Sequence, residues 1–157
     1  MNQASKAKEY YGKALDLCQQ IYGKESNHID TAICLGNLGT CYVDMEEYEA
    51  AKGCQEKSLA MLRNIYGSGA DHMQIAGQLK ELGWCCFKTN ENSKAKAYLE
   101  ESSDMYIRIC GADSKHTFIA DTLLRLGANY TNMKEHDQSL ELLNKALSMY
   151  VQNAGQE

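Results

Sequence analysis

The chain repeats itself every 44 residues. Leu-Gly recurs at Leu38-Gly39, Leu82-Gly83 and Leu126-Gly127, and histidine recurs on the same 44-residue step at His28, His72 and His116. Gly23, Gly67 and Gly111 keep the step, following Ile21-Tyr22, Ile65-Tyr66 and Ile109-Cys110. Ala32, Ala76 and Ala120 also keep register, as do Leu35, Leu79 and Leu123. Residues 23–66 and 67–110 align without a gap, with 14 identities in 44 positions. A period of this length constrains the fold more than composition can. A unit so short cannot bury an apolar face alone and must stack on its own copies.

Each unit divides into two helices. Helix A is predicted from about His28 to Asp44, with Ala32, Leu35, Leu38, Gly39 and Tyr42 recurring at the spacing of one helical face. Helix B is predicted from about Glu47 to Tyr66, with Ala51, Cys54, Ser58, Leu59, Leu62 and Ile65 facing inward. Gly23, Gly67 and Gly111 stand where a helix end calls for a left-handed residue. Asn27, Asp71 and Ser114 then offer side-chain oxygens to cap the next helix A. Residues 3–22 match helix B, with Ala7, Ala14 and Leu15 in register with Ala51, Ser58 and Leu59. The expected organisation is one domain over residues 1–157. It holds a half repeat at 3–22 and whole repeats at 23–66, 67–110 and 111–154, about seven helices in all.

Gly39, Gly83 and Gly127 lie in mid-helix, where glycine costs about 0.5–1 kcal/mol relative to alanine. Meeting that cost at one register in every copy implies that helix A and helix B approach closely there. Antiparallel pairs stacked in this way form an all-α, right-handed α-solenoid with a concave inner wall.

Composition removes several function classes. The 16 basic and 21 acidic residues give a net charge of −5, which argues against a nucleic-acid partner. No apolar run approaches the roughly 20 residues of a membrane helix, and the first residues carry no apolar export segment. Seven cysteines at irregular spacing read as reduced thiols, so a cytoplasmic protein is expected, without a membrane partner. Cys18, Cys54 and Cys110 read as small core residues. His28, His72 and His116 sit a whole repeat apart, too far for one metal ion with bonds of about 2.0–2.1 Å. They are expected to cap or pack the start of helix A. No catalytic constellation, metal site or cofactor motif is present, so the expectation is a protein that is not an enzyme.

At Leu35, Leu38-Gly39, Tyr42, Ala51 and Ser58 the unit resembles the tetratricopeptide repeat. Ile-Tyr-Gly followed by a histidine, then Ala-x-x-Leu-x-x-Leu-Gly, is similar to the long-repeat subclass of kinesin light chains, nephrocystin-like proteins and NACHT- or NB-ARC-associated arrays. Ile29, Met73 and Thr117 stand where that subclass usually has proline, and Glu81 and Arg125 replace the asparagine kept at Asn37. The resemblance implies a module that binds a protein or peptide in a groove lined by helix A. Carried over by position, that groove takes Asn37, Thr40 and Asp44 from the first whole repeat. It takes Lys80, Glu81, Trp84, Phe87 and Lys88 from the second, and Asp121, Arg125 and Asn132 from the third. Trp84 and Phe87 are three residues apart and so share a face. With Lys80, Lys88 and Arg125 around them, they suit a segment with an apolar anchor and acidic flanks. The competing expectation is a structural or regulatory spacer in a larger signalling or motor-accessory protein. Tyr10, Tyr11, Leu15, Leu17 and Ile21 at one end and Leu140, Leu142, Leu143, Leu147, Met149, Tyr150 and Val151 at the other leave apolar terminal helices, as if cut from a longer array. Homo-association through those helices is expected.

Overall fold

The two-helix period resolves, in a computed structural model describing residues 3–111 and 116–154, into seven α-helices with no strand among those residues. They are α1 (Gln3–Tyr22), α2 (Ile29–Asp44), α3 (Tyr48–Tyr66), α4 (Met73–Lys88), α5 (Asn92–Cys110), α6 (Thr117–Asn132) and α7 (His136–Ala154). α2, α4 and α6 are helix A of successive repeats, and α3, α5 and α7 are helix B. The helices form two units, one running to Ala70 and the other starting at Asp71. In the first, α2 packs against both α1 and α3. In the second, α4 pairs with α5, α5 with α6 and α6 with α7, and α4 also touches α6. This is the all-α array of antiparallel pairs that the repeat predicts.

The apolar stripes of helix A form the core. Ala32, Leu35, Leu38 and Cys41 are buried in the first unit, and Ile75, Ala76, Leu79, Leu82, Cys85 and Cys86 in the second. The mid-helix glycines mark the closest contacts. A Cβ on Gly83 would lie 2.7 Å from Leu99 Cγ and 3.3 Å from the Ala95 carbonyl oxygen. One on Gly127 would meet Leu143 Cδ2 at 2.8 Å, and one on Gly39 would meet the Gln55 amide at 2.6 Å. A hydroxyl one turn further along locks two of these pairs, α2–α3 and α4–α5. Ser58 Oγ donates to the Ala32 carbonyl and Ser102 Oγ to the Ala76 carbonyl, each at 2.7 Å.

The inner face of helix B departs from expectation at two positions. Ala51, Ser58, Leu59 and Leu62 are buried, but Cys54 and Ile65 are only half-buried, and the fully buried neighbour is Gln55. Cys18 and Cys110 are likewise half-buried rather than core.

The helix ends also differ from expectation. Gly67 and Gly111 have φ of 98° and 93°, positive as expected, but ψ of 143° and 149° puts them in the extended mirror region instead of the left-handed helical one. The left-handed residues occur in the turns from helix A to helix B, at Glu46, Asn90 and Lys134, with φ of 60°, 61° and 64°. Capping falls to the histidines. His28 Nδ1 accepts from the Asp30 N–H at 3.3 Å, and His72 Nδ1 from the Gln74 N–H at 3.2 Å. These residues hold the extended N-cap backbone, one position beyond Asn27 and Asp71. Asn27 instead accepts from Asn64 at 3.5 Å, and Asp71 accepts from Arg108 at 2.8–2.9 Å. His116 makes no side-chain cap bond and stacks on Phe118 at 4.8 Å, while Ser114 lies outside the described residues.

Candidate functional site

Stacking helix A on helix A brings residues of equal register face to face, and in the second unit these carry opposite charge. Glu81 of α4 and Arg125 of α6 are 44 positions apart, and Arg125 Nη1 lies 3.1 Å from Glu81 Oε2. One turn towards the start of α6, Asp121 receives Lys80 Nζ at 2.6 Å and Arg125 Nε at 3.4 Å. Lys80 also lies 3.7 Å from Glu81, which closes a ring of two cations and two carboxylates. These side chains are 11–32% exposed, sheltered enough for the network to hold its geometry. Burial pushes the Asp121 carboxyl up, but the Lys80 hydrogen bond and the Arg125 and Lys80 charges outweigh it and hold it below the usual range.

Aromatic rings flank the network on both sides. Trp84 stacks on Phe87 with centroids 5.0 Å apart and planes at 24°. Lys88 Nζ lies 5.0 Å from the centre of the half-buried Trp84 ring, and Arg125 Cζ lies 5.1 Å from it. Cations over an indole face gain about 0.5–2 kcal/mol each, depending on how dry the site is. On the other side, exposed Phe118 stacks on buried Tyr106 at 5.7 Å, with Lys80 Nζ 6.0 Å from its centre. Burial, and after it the Glu81 and Asp121 charges, pushes the Tyr106 phenol up to about 12. Neither ring figures in the sequence-based site. Register carried a signal for Phe118, which stands where Asp30 and Gln74 stand in sister repeats.

The structure thus gathers Lys80, Glu81, Trp84, Phe87, Lys88, Asp121 and Arg125 onto the α4–α6 face. Asn132 does not join them; its amide donates to Asn92 Oδ1 at 3.2 Å, at the start of α5. Asn37, Thr40 and Asp44 belong to α2 of the first unit, where the Thr40 hydroxyl donates to the Gly36 carbonyl at 3.2 Å. Among the described residues no cluster of three or more His, Cys, Asp or Glu side chains could hold a metal ion. None of the described helices is long and apolar enough to cross a membrane.

Residues 1–64 and 119–157 each match a family model of the tetratricopeptide repeat, together 103 of 157 residues. The chain belongs to the tetratricopeptide repeat family. No curated protein matches it by sequence. Among solved structures it is similar to BtubC (BKLC) from P. vanneervenii, with a TM-score of 0.82 at 18% identity, over 98% of this chain and 59% of that one. A Rap protein complexed with Competence and Sporulation Factor gives a TM-score of 0.77 at 15% identity, over 95% of this chain and 38% of that one. The TPR-like repeats of a putative kinesin light chain from Podospora anserina give 0.70 at 16% identity, over 96% and 69%. The chain therefore spans little more than half of the first of these and less of the second. At such identities the likeness shows the fold. Tetratricopeptide repeats are generally non-catalytic scaffolds for protein interaction.

Proposed function

We propose that this array binds a segment of a partner protein on the α4–α6 face, with Trp84 and Phe87 as the anchor site. The observation that carries this reading is the stacked aromatic pair on helix A, with its indole face against Lys88 and Arg125. Large rings held in one orientation bury much area at little entropic cost, which is why aromatic residues dominate interface hot spots. The charge ring refines the expected partner. Lys80 and Arg125 are matched by Glu81 and Asp121, so an acidic flank gains less from them than sequence alone implies. Selection rests on a large apolar side chain in the ligand.

The test is a peptide-display selection against the chain, followed by titration of the selected peptides. Their binding should shift the emission of Trp84, the only tryptophan, and Trp84→Ala should weaken it at least tenfold with helicity unchanged. Binding that survives Trp84→Ala and Phe87→Ala at full strength would move the site elsewhere. The spacer reading has its own support in the exposed apolar faces of α1 and α7, which suit a second copy of the chain.

A further inference from the structure

We propose that Cys18 and Cys34 are a thiol pair that closes reversibly into a disulfide, clamping α1 to α2 in the first unit. Helix register places them together. α1 and α2 run antiparallel, and near their junction the Tyr22 hydroxyl donates to Asp30 Oδ2 at 3.0 Å while its ring stacks on His28 at 3.5 Å. In an antiparallel pair, one turn back along the first helix faces one turn forward along the second. Four residues before Tyr22 is Cys18, and four residues after Asp30 is Cys34.

The electrostatics of Cys34 agree with a thiol nearby. Burial first, then the Cys18 thiol and Asp30, push Cys34 up to about 11. Helices packed about 8–10 Å apart, each with Cα atoms about 2.3 Å from its axis, leave roughly 3.5–5.5 Å between facing Cα atoms. That overlaps the range of about 4.4–6.8 Å that a disulfide spans. Both cysteines are half-buried, so a small oxidant can reach them. The pairing is also particular to this place in the repeat. The Cys18 register holds Leu62 and Tyr106 elsewhere, and the Cys34 register holds Gln78 and Thr122.

The chemistry needs a two-electron oxidant, here a glutathione-type disulfide. One cysteine thiolate attacks a sulfur of oxidised glutathione, forming a mixed disulfide and releasing one glutathione thiolate. The second cysteine thiolate attacks the protein sulfur of that mixed disulfide and expels the other glutathione. The protein loses two protons and two electrons, and two molecules of reduced glutathione are formed. The clamp would act on an element that needs one, because α1 has no fully buried residue and helices with little buried surface open most readily.

The test treats the full chain with oxidised glutathione, alkylates the remaining thiols and maps the tryptic peptides. The expected product joins peptide 14–24 to peptide 25–52 with Cys41 alkylated, and two of the seven thiols are lost. The melting temperature should rise by on the order of 5 °C and return on reduction with dithiothreitol. Cys18→Ser and Cys34→Ser should each abolish the link, and Cys41→Ser should leave it. Seven thiols still reactive, a stable glutathione adduct without a link, a link through Cys41, or a link found only between two chains would each overturn the proposal.

Discussion

Gln55 is the residue least suited to its place. It is fully buried; its Nε2 reaches the Gly36 carbonyl at a long 3.4 Å, and its Oε1 has no hydrogen-bond partner. A buried polar atom left unpaired costs about 1–3 kcal/mol. The sister repeats show what fits, since Leu99 and Leu143 hold the same register and pack on Gly83 and Gly127 as Gln55 packs on Gly39. Gln55→Leu should therefore raise stability by roughly 1–2 kcal/mol, read as a higher urea midpoint at unchanged slope. An unchanged or lower midpoint would mean that the Gly36 bond outweighs the unpaired oxygen. Polarity also explains why the residue was hard to place from sequence. A hydrophobic pattern assigns Cys54 to the inner face, yet Cys54 is half-buried and Gln55 takes the core. Only the leucines at matching positions in later copies reveal this.

The turns from helix A to helix B follow one hydrogen-bond plan. After α2, the Glu46 N–H bonds the Val43 carbonyl at 2.9 Å and the Glu47 N–H bonds the Tyr42 carbonyl at 2.9 Å. The same pair of bonds closes α4 through Asn90 and Glu91, and α6 through Lys134 and Glu135. This is the Schellman arrangement, whose left-handed residue is normally glycine. Here it is Glu, Asn and Lys, of which only Asn tolerates that conformation well. Lys134→Gly should stabilise the chain by about 0.5–1 kcal/mol, the relief of the strained backbone less the added freedom of the unfolded chain. Lys134→Ala, which keeps the Cβ, should gain nothing, and equal melting temperatures for the two variants would refute the argument. Elements were legible because apolar register and length decide them. The strained turns were not, because no glycine marks them, whereas Gly67 and Gly111 do mark positive φ but not the extended ψ that accompanies it. The histidine caps were half legible: the 44-residue recurrence placed them at helix starts, but residue preference pointed to Asn27 and Asp71 for the bond.

For the molecule as a whole, the repeat determines the scaffold and leaves the partner open, since specificity rests on a few exposed side chains that the core does not constrain. The α4–α6 charge ring illustrates this. Glu81 and Arg125 share a register, so their meeting follows from the period, whereas what Trp84 and Phe87 select does not. Apolar faces on α1 and α7 carry a separate consequence. Tyr10, Leu17 and Ile21 are 57–70% exposed along one face of α1, and Leu140, Leu147 and Val151 are 60–63% exposed along one face of α7. Each trio has seven- and four-residue spacing, so it forms a continuous stripe. In α3 and α5 the positions matching Leu147 are Leu59 and Ser103, and both are buried. Leu147 thus has the register of a packing position, whereas Leu140 and Val151 match the half-buried Lys52, Lys96, Arg63 and Ile107, and water on the stripe is unfavourable by about 25 cal/mol per Å² of apolar area. The chain should therefore self-associate as its concentration rises, and Leu140→Glu with Leu147→Glu should reduce that association without lowering helicity. Sedimentation equilibrium decides the matter. A monomer at every concentration, or association indifferent to the two glutamates, would leave the α7 stripe without a role in assembly and favour the partner-binding reading.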